Sequence, residues 1–333
     1  MVLHPTTPHT LWPFTAVRSA MDLWMGSSRL ADKRIVIPVT PEFPEEAVFT
    51  PAGAKHALAG ASASELIAMD AMRVLEYPWQ ISQWNRWLLE HEMAAAANDF
   101  DSVAILPPGV QHIGEEDLMM DPHAWVEPCI CVTTEGPIWI EAGAHVMAGA
   151  ILRGPLYIGK NAVVKMGAAL YGGTSVGPHC TVGGEIKNSV LMGYSNKAHD
   201  GYLGDSVIGY WCNLGAGTTN SNLKNTAGSV RVYHPAGGTR VDAGQKAGVF
   251  LGDFSRTAIQ TAFSTGTIAG VCCHISGPKP ATFIPDFSWG ETERYRWEKV
   301  ESDLRNWMAF KGQEPDAQLL ERLQQLYSPP IST

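Results

Sequence analysis

The sequence predicts a mainly β protein whose central part is a hexapeptide β-helix, preceded by a small α/β region and followed by helices. Aliphatic residues recur at an unbroken interval of six, at Ile140, Val146, Leu152, Ile158, Val164, Leu170, Val176 and Val182. The residues between them are small, turn-forming or polar, as in VMAGAI, IGKNAV and VGPHCT. Such a period fits neither an amphipathic helix nor simple strand alternation. It fits a rung of short strand plus turn that points one aliphatic side chain to a shared axis and gains stability when the next coil stacks on it. Glycine and alanine at the corners permit tight turns and positive φ.

The elements divide the chain into residues 1–125, a small α/β region; 126–289, the β-helix; and 290–333, terminal helices. Residues 11–33 mix aromatic anchors with Arg18, Asp22 and Arg29, and RIVIPV at 34–39 reads as a buried strand. From residue 64 to 97 the pattern turns helical, interrupted at Pro78. Trp79, Ile81, Trp84, Trp87 and Leu88 then form a stripe suited to packing rather than ligand recognition. Residues 103–138 read as strands leading into the coil, Val126 and Val132 keeping the six-residue step toward Ile138. The rhythm is expected to break in a loop after Lys187 and to resume with Leu203, Ile208 and Leu214. Residues 220–247 lose it again and carry cations and turn residues, a place where function commonly sits. Leu251, Thr257, Phe263 and Ile268 restore it, and two amphipathic helices follow that suit a cap on the open coil or a brace against a neighbouring subunit.

The formal net charge of −9 and the lack of a basic stripe argue against a nucleic-acid partner. No cationic apolar leader and no long apolar run is present, so a soluble cytoplasmic protein without membrane association is expected. The six cysteines make neither a disulfide framework nor paired zinc-site spacing. Cys272, Cys273 and His274 are adjacent, but buried small hydrophobes are the better reading of the two thiols, and no metal site is expected.

Residues 183–225, GGEIKNSVLMGYSNKAHDGYLGDSVIGYWCNLGAGTTNSNLKN, resemble the acetyltransferase half of the bifunctional enzyme of UDP-N-acetylglucosamine synthesis. There, glucosamine-1-phosphate acetyltransferase is joined to N-acetylglucosamine-1-phosphate uridyltransferase. The stretch from about residue 136 to FIPDFSWG is more similar still to a GlmU-like family of sugar-phosphate nucleotidyltransferases, to which LWPFTAVRS and YPWQISQWN also look related. The resemblance implies a left-handed parallel β-helix acting as a homotrimer, with acetyl-CoA bound between coils of adjacent subunits and a small-molecule sugar phosphate as acceptor.

Carried over residue by residue, the resemblance makes His199 the general base, Glu185 the acid that orients it, and Ala216 the backbone N–H facing the acetyl group. Lys187 would hold the sugar's phosphate, Tyr202 and Asn213 would contact the sugar, and Asn222, Asp253 and Ala269 would lie along acetyl-CoA. These types suit acyl transfer to an amine: a histidine titrating near neutrality takes the amine's proton, and backbone N–H groups stabilise the oxyanion. The sequence also departs from the pattern. His199 is followed by Asp200, Gly201 and Tyr202 where those enzymes have Leu-Thr-Tyr, and Tyr171 falls near a phosphate-binding arginine. No glycine-rich phosphate loop opens the chain, so the N-terminal region reads as a remnant of a nucleotidyltransferase domain and nucleotidyl transfer is not expected. The other readings are a trimeric scaffold that binds sugar phosphates or sugar nucleotides without catalysis, and a nucleotidyltransferase-family protein without the uridyltransferase domain; a metal hydrolase on the same coil is disfavoured because His145, His179 and His199 are too far apart in the repeats.

Overall fold

The computed structural model describes residues 2–3, 11–18, 23–29, 74–96 and 106–328. Parallel strands stack into a three-sided solenoid, the chain visiting its sheets in rotation. The first face has six strands, from Gln111–Ile113 to Tyr202–Gly204. The second has nine, from Leu118–Met120 to Phe283–Ile284, and the third begins with Trp125–Val126 and runs through Asn196–Lys197. Two- to four-residue strands suffice because, away from the ends of a face, each is flanked by a coil above and below, which satisfies its backbone groups.

The aliphatic period becomes three vertical columns. Leu152 stacks on Leu170, Ile140 on Ile158 and Val176, and Val146 on Val164 and Val182. All eight residues of the period lie in one buried core. Each such burial is worth about 1.5–3 kcal/mol before the entropy of ordering is counted.

The structure departs from the sequence expectations at the ends of that period. Gln111–Ile113 and Leu118–Met120 already pair with Ile130–Val132 and Ile138–Ile140, so the coil begins well before residue 126. Within it Cys131, not Val132, stacks on Leu152 and takes the inward position. Residues 188–201 are not a loop that interrupts the coil. Val190–Gly193 and Asn196–Lys197 continue the second and third faces, with Leu191 beneath Val176 and Lys197 beneath Val182. Farther down, Ala269 rather than Ile268 stacks between Leu251 and Ile284, which turns Ile268 outward into a second core.

That second core lies on the outside of the second face. Leu11, Phe14, Met25, Trp79, Ile81 and Leu88 pack there against Val190, Met192, Val207 and Phe250. Buried Asn85 pins the cover, its Nδ2 donating to the Gly173 carbonyl and to Ser175 Oγ, both at 2.9 Å, while its Oδ1 accepts from the Gly26 N–H. Residues 220–247 form an antiparallel hairpin, Arg231–His234 with Thr239–Asp242, whose Val230 and Val232 join the same core. That segment serves as cover rather than as an open loop. The expected strand at 34–39 and most of the helix after residue 64 lie outside the described residues, although Val74–Leu75 pairs as a strand with Val2–Leu3. Helices Trp297–Phe310 and Ala317–Tyr327 bury Val300, Leu304, Met308 and Leu323 against Phe254, Val271, Cys272 and Phe287 of the last coils.

Candidate functional site

Strands of the third face turn into strands of the first at a corner where the coils are unequal in length. From Val182 to Ile186 the chain takes four steps, and from Lys197 to Leu203 in the coil beneath it takes six. The longer turn, Ala198–Gly201, must therefore bulge under the shorter one. Glycines allow the approach: a Cβ on Gly183 would lie 2.4 Å from the Ala198 carbonyl oxygen, and one on Gly184 would lie 2.9 Å from that of His199. Gly201 closes the bulge at φ +115°, where a Cβ would strike the Thr218 carbonyl.

The bulge walls an open groove of about 340 Å³ lined by Lys165, Met166, Gly183, Gly184, Ala198, His199, Asp200, Ala216, Gly217 and Gln260. His199 and Asp200 are exposed on its rim. Below them, the Ala216 carbonyl accepts from the Gln260 N–H at 2.7 Å, while the Ala216 N–H finds no acceptor among the described residues. The groove thus brings His199 and Ala216 together.

Around the corner, on the first face, three more expected site residues lie on neighbouring strands. Glu185 is in register with Tyr202 and Lys187 with Gly204. Glu185 and Lys187 flank inward-pointing Ile186 and are exposed, and Lys187 Nζ lies 5.7 Å from the centre of the Tyr171 ring. Burial, with the nearby charges of Asp205 and Glu185, pushes the Tyr202 phenol up to about 12, so it is a neutral hydrogen-bonding group at neutral pH. Its oxygen receives Asn222 Nδ2 at 3.0 Å, and the same Nδ2 reaches Asp205, whose other oxygen accepts from Asn188 Nδ2 at 2.7 Å. Asp205 was visible in the sequence only as the last residue of the family-like YLGD, and Asn188 carried no signal, yet they fix the Asn222–Tyr202 contact.

The remaining three expected residues stand elsewhere. Asn213 belongs to a ladder on the third face between Asn196 and Arg256, with Lys311 of the terminal helix reaching Asn196 Oδ1 at 3.0 Å. It does not line the groove. Asp253 is fully buried and already committed, receiving Arg18 Nε at 2.5 Å and the Tyr210 N–H at 2.8 Å. Burial raises its pKa and the Arg18 guanidinium opposes that. Its work is to fasten the N-terminal cover to the solenoid, which corrects the expectation of a cofactor contact. Ala269 points into the core, again against that expectation. Among the described residues no cluster of metal-ligating side chains occurs. Cys272 and Cys273 point into different cores, and the His274 ring stacks on Trp289 at 4.2 Å. No described helix is long and apolar enough to cross a membrane.

Fold and groove together define a parallel β-solenoid of hexapeptide coils with a polar corner site. Comparison with known proteins adds the following. No family model matches the chain. It is 37% identical over 91 residues to the bifunctional protein GlmU of Methanocaldococcus jannaschii, a stretch covering 27% of this chain and 22% of that one. It is 38% identical over 92 residues, again 27% of this chain and 22% of the other, to a bifunctional sugar-1-phosphate nucleotidylyltransferase/acetyltransferase of Sulfurisphaera tokodaii. The chain thus spans about a fifth of the length of the curated relatives it matches. Among solved structures, a hexapeptide transferase family protein from Anaplasma phagocytophilum aligns with 66% of this chain and 91% of its own at 12% identity, with a TM-score of 0.20. At that level of superposition nothing about the site follows.

Proposed function

We propose that the chain is an acyltransferase that moves an acetyl group from acetyl-CoA to the amine of an amino sugar phosphate resembling glucosamine-1-phosphate. The observation that carries this reading is the corner groove, whose lining includes an exposed histidine, His199, and Ala216, whose N–H has no acceptor among the described residues. In the proposed reaction the amine nitrogen attacks the thioester carbonyl carbon and its proton passes to His199. The Ala216 N–H donates to the oxyanion of the tetrahedral intermediate. Collapse expels the CoA sulfur, which takes the proton back from His199. Lys187 offers a cation for the sugar's phosphate, and Tyr202 a neutral hydroxyl held by Asn222 for the sugar ring.

The groove is open to the outside, and in this reading a neighbouring copy in a homotrimer supplies its second wall in a cytoplasmic enzyme. Of the three residues expected along acetyl-CoA, Asn222 alone remains at the surface. The burial of Asp253 and Ala269 favours a second reading, a sugar-phosphate-binding scaffold without catalysis. Acetyl transfer to glucosamine-1-phosphate, measured for wild type and His199→Ala, separates the two. The enzyme reading expects a loss of ~100-fold or more in kcat in the variant and a rise in melting temperature with CoA. Equal turnover by both proteins would remove His199 from the mechanism, and no turnover with no CoA effect would establish the scaffold.

A further inference from the structure

The third-face column runs Val126, Val146, Val164, Val182 and then Lys197. A lysine at an inward position of an aliphatic column needs a reason, since the column itself asks for valine or leucine. Lys197 is 1% exposed, its methylenes filling the column as an aliphatic chain would. Its ammonium turns to the corner and donates to three carbonyl oxygens: Gly183 at 3.3 Å, Asp200 at 3.2 Å, and His199 by a shorter contact. All three belong to residues that line the groove.

Two of these carbonyls, those of His199 and Asp200, are passed over by the backbone ladder. The ladder passes from the Gly183 N–H on the Lys197 carbonyl to the next bond beyond the turn. The Glu185 N–H skips to the Gly201 carbonyl, and no backbone N–H of the described residues donates to the carbonyl of His199 or of Asp200. The ammonium's three donors take the place of the missing ladder bonds. Burial depresses its pKa to about 8, with Asp200 acting against the shift.

We infer that Lys197 is a positioning residue for His199: it holds the bulged turn from inside the solenoid and so fixes where the imidazole stands relative to the Ala216 N–H. The catalytic consequence rests on the acyl-transfer reading; the structural one does not. Two measurements on wild type and Lys197→Met, which keeps the length and removes the donors, test them separately. Amide hydrogen exchange is expected to speed up about tenfold or more at Gly183 and Glu185, whose N–H groups donate to the carbonyls on either side of the turn, and to stay unchanged along Ile140–Val182. In acetyl transfer to glucosamine-1-phosphate, kcat is expected to fall about tenfold with KM for acetyl-CoA unchanged, the mark of a misplaced base rather than a lost binding contact. Lys197→Gln, which keeps a neutral donor, is expected to restore part of both and serves in place of the methionine variant if that chain does not fold. Exchange at Gly183 and Glu185 equal to wild type would overturn the positioning role whatever the activity. Absence of transfer by wild type would sink the acyl-transfer reading and leave the exchange result standing. A uniform rise in exchange over the whole solenoid would also overturn the inference, since Lys197 would then be a general prop and not a local one.

Discussion

The coils from Ile140 to Val182 and those from Val182 to Asn220 are the same construction under different rules. In the upper set every interval is six, every inward residue is aliphatic, and each corner is a short turn of glycine, alanine and polar residues. In the lower set the intervals from Val182 through Ile186, Leu191, Lys197 and Leu203 are four, five, six and six. One inward residue there is a buried cation. The regular coils show what stacking alone demands; the irregular ones show what has been added to it. The groove lies at the irregular corner, where turns of unequal length leave a hollow lined by polar side chains and backbone.

The sharpest way to break this contrast is to move the lysine. Val164 occupies the same column two coils above Lys197, but there the ladder is complete, Met147 and Lys165 N–H groups donating across the strand at 2.9 and 2.8 Å. Val164→Lys sets an ammonium in a regular corner, where the Lys165 carbonyl already accepts from the Ala168 N–H, and is expected to cost ~4 kcal/mol or more. Urea denaturation checks this. A loss below ~1 kcal/mol would mean that the column accepts a cation anywhere and that the corner at Lys197 is not special.

The upper coils were legible because a six-residue period of valine, leucine and isoleucine has few other structural uses, and stacking then converts it directly into columns. The lower ones were not, for a physical reason. A count of aliphatic residues passes over lysine, so Asn196–Lys197 looked like part of a loop although Lys197 fills the core with its methylenes. The outer cover was illegible for another reason: Asn85 meets Gly173 and Gly26, contacts distant in sequence that no local pattern announces. At the site, His199 and Ala216 could be named from flanking residues, and the structure sets both on one groove. Asp253 and Ala269 were named by the same route, yet carry out core duties instead. Residue type and neighbourhood survive in a sequence match, whereas which face a side chain points to depends on register, and a shift of one position along a strand reverses it.

A smaller effect sharpens the comparison from the other side. Lys197 has a pKa near 10.5 when unfolded and about 8 when folded. Between those values the unfolded chain holds a proton that the folded chain has released, so stability rises with pH through that window. The change is at most ~3 kcal/mol, because the carbonyl oxygens that accept from the ammonium offset part of the burial penalty. Lys197→Met lacks this dependence. Urea melts of both proteins at about pH 7 and about pH 10 are expected to show wild type gaining on the variant at the higher pH. Titrations common to both chains cancel in the difference. Parallel stability curves would mean that Lys197 titrates like a solvated lysine and that its place in the column costs little.

The smallest expected effect on stability belongs to Lys187, and its value lies in that smallness. Lys187 shares a strand with Ile186, one residue from the core, but its side chain is exposed and meets Tyr171 at 5.7 Å, a cation–ring contact worth ~0.5–1 kcal/mol at most. Lys187→Ala is therefore expected to change stability by no more than ~0.5–1 kcal/mol. If the first face holds the acceptor's phosphate, the same change is expected to raise KM for glucosamine-1-phosphate about tenfold or more while leaving KM for acetyl-CoA and amide exchange at Gly183 and Glu185 untouched. The result separates the two parts of the irregular corner: a side chain that faces outward and binds, and one that faces inward and holds. A variant whose sugar-phosphate KM does not move would place the acceptor away from the first face, leaving Lys197 and the bulged turn as the reason for the groove and Lys187 as a solvated rung edge.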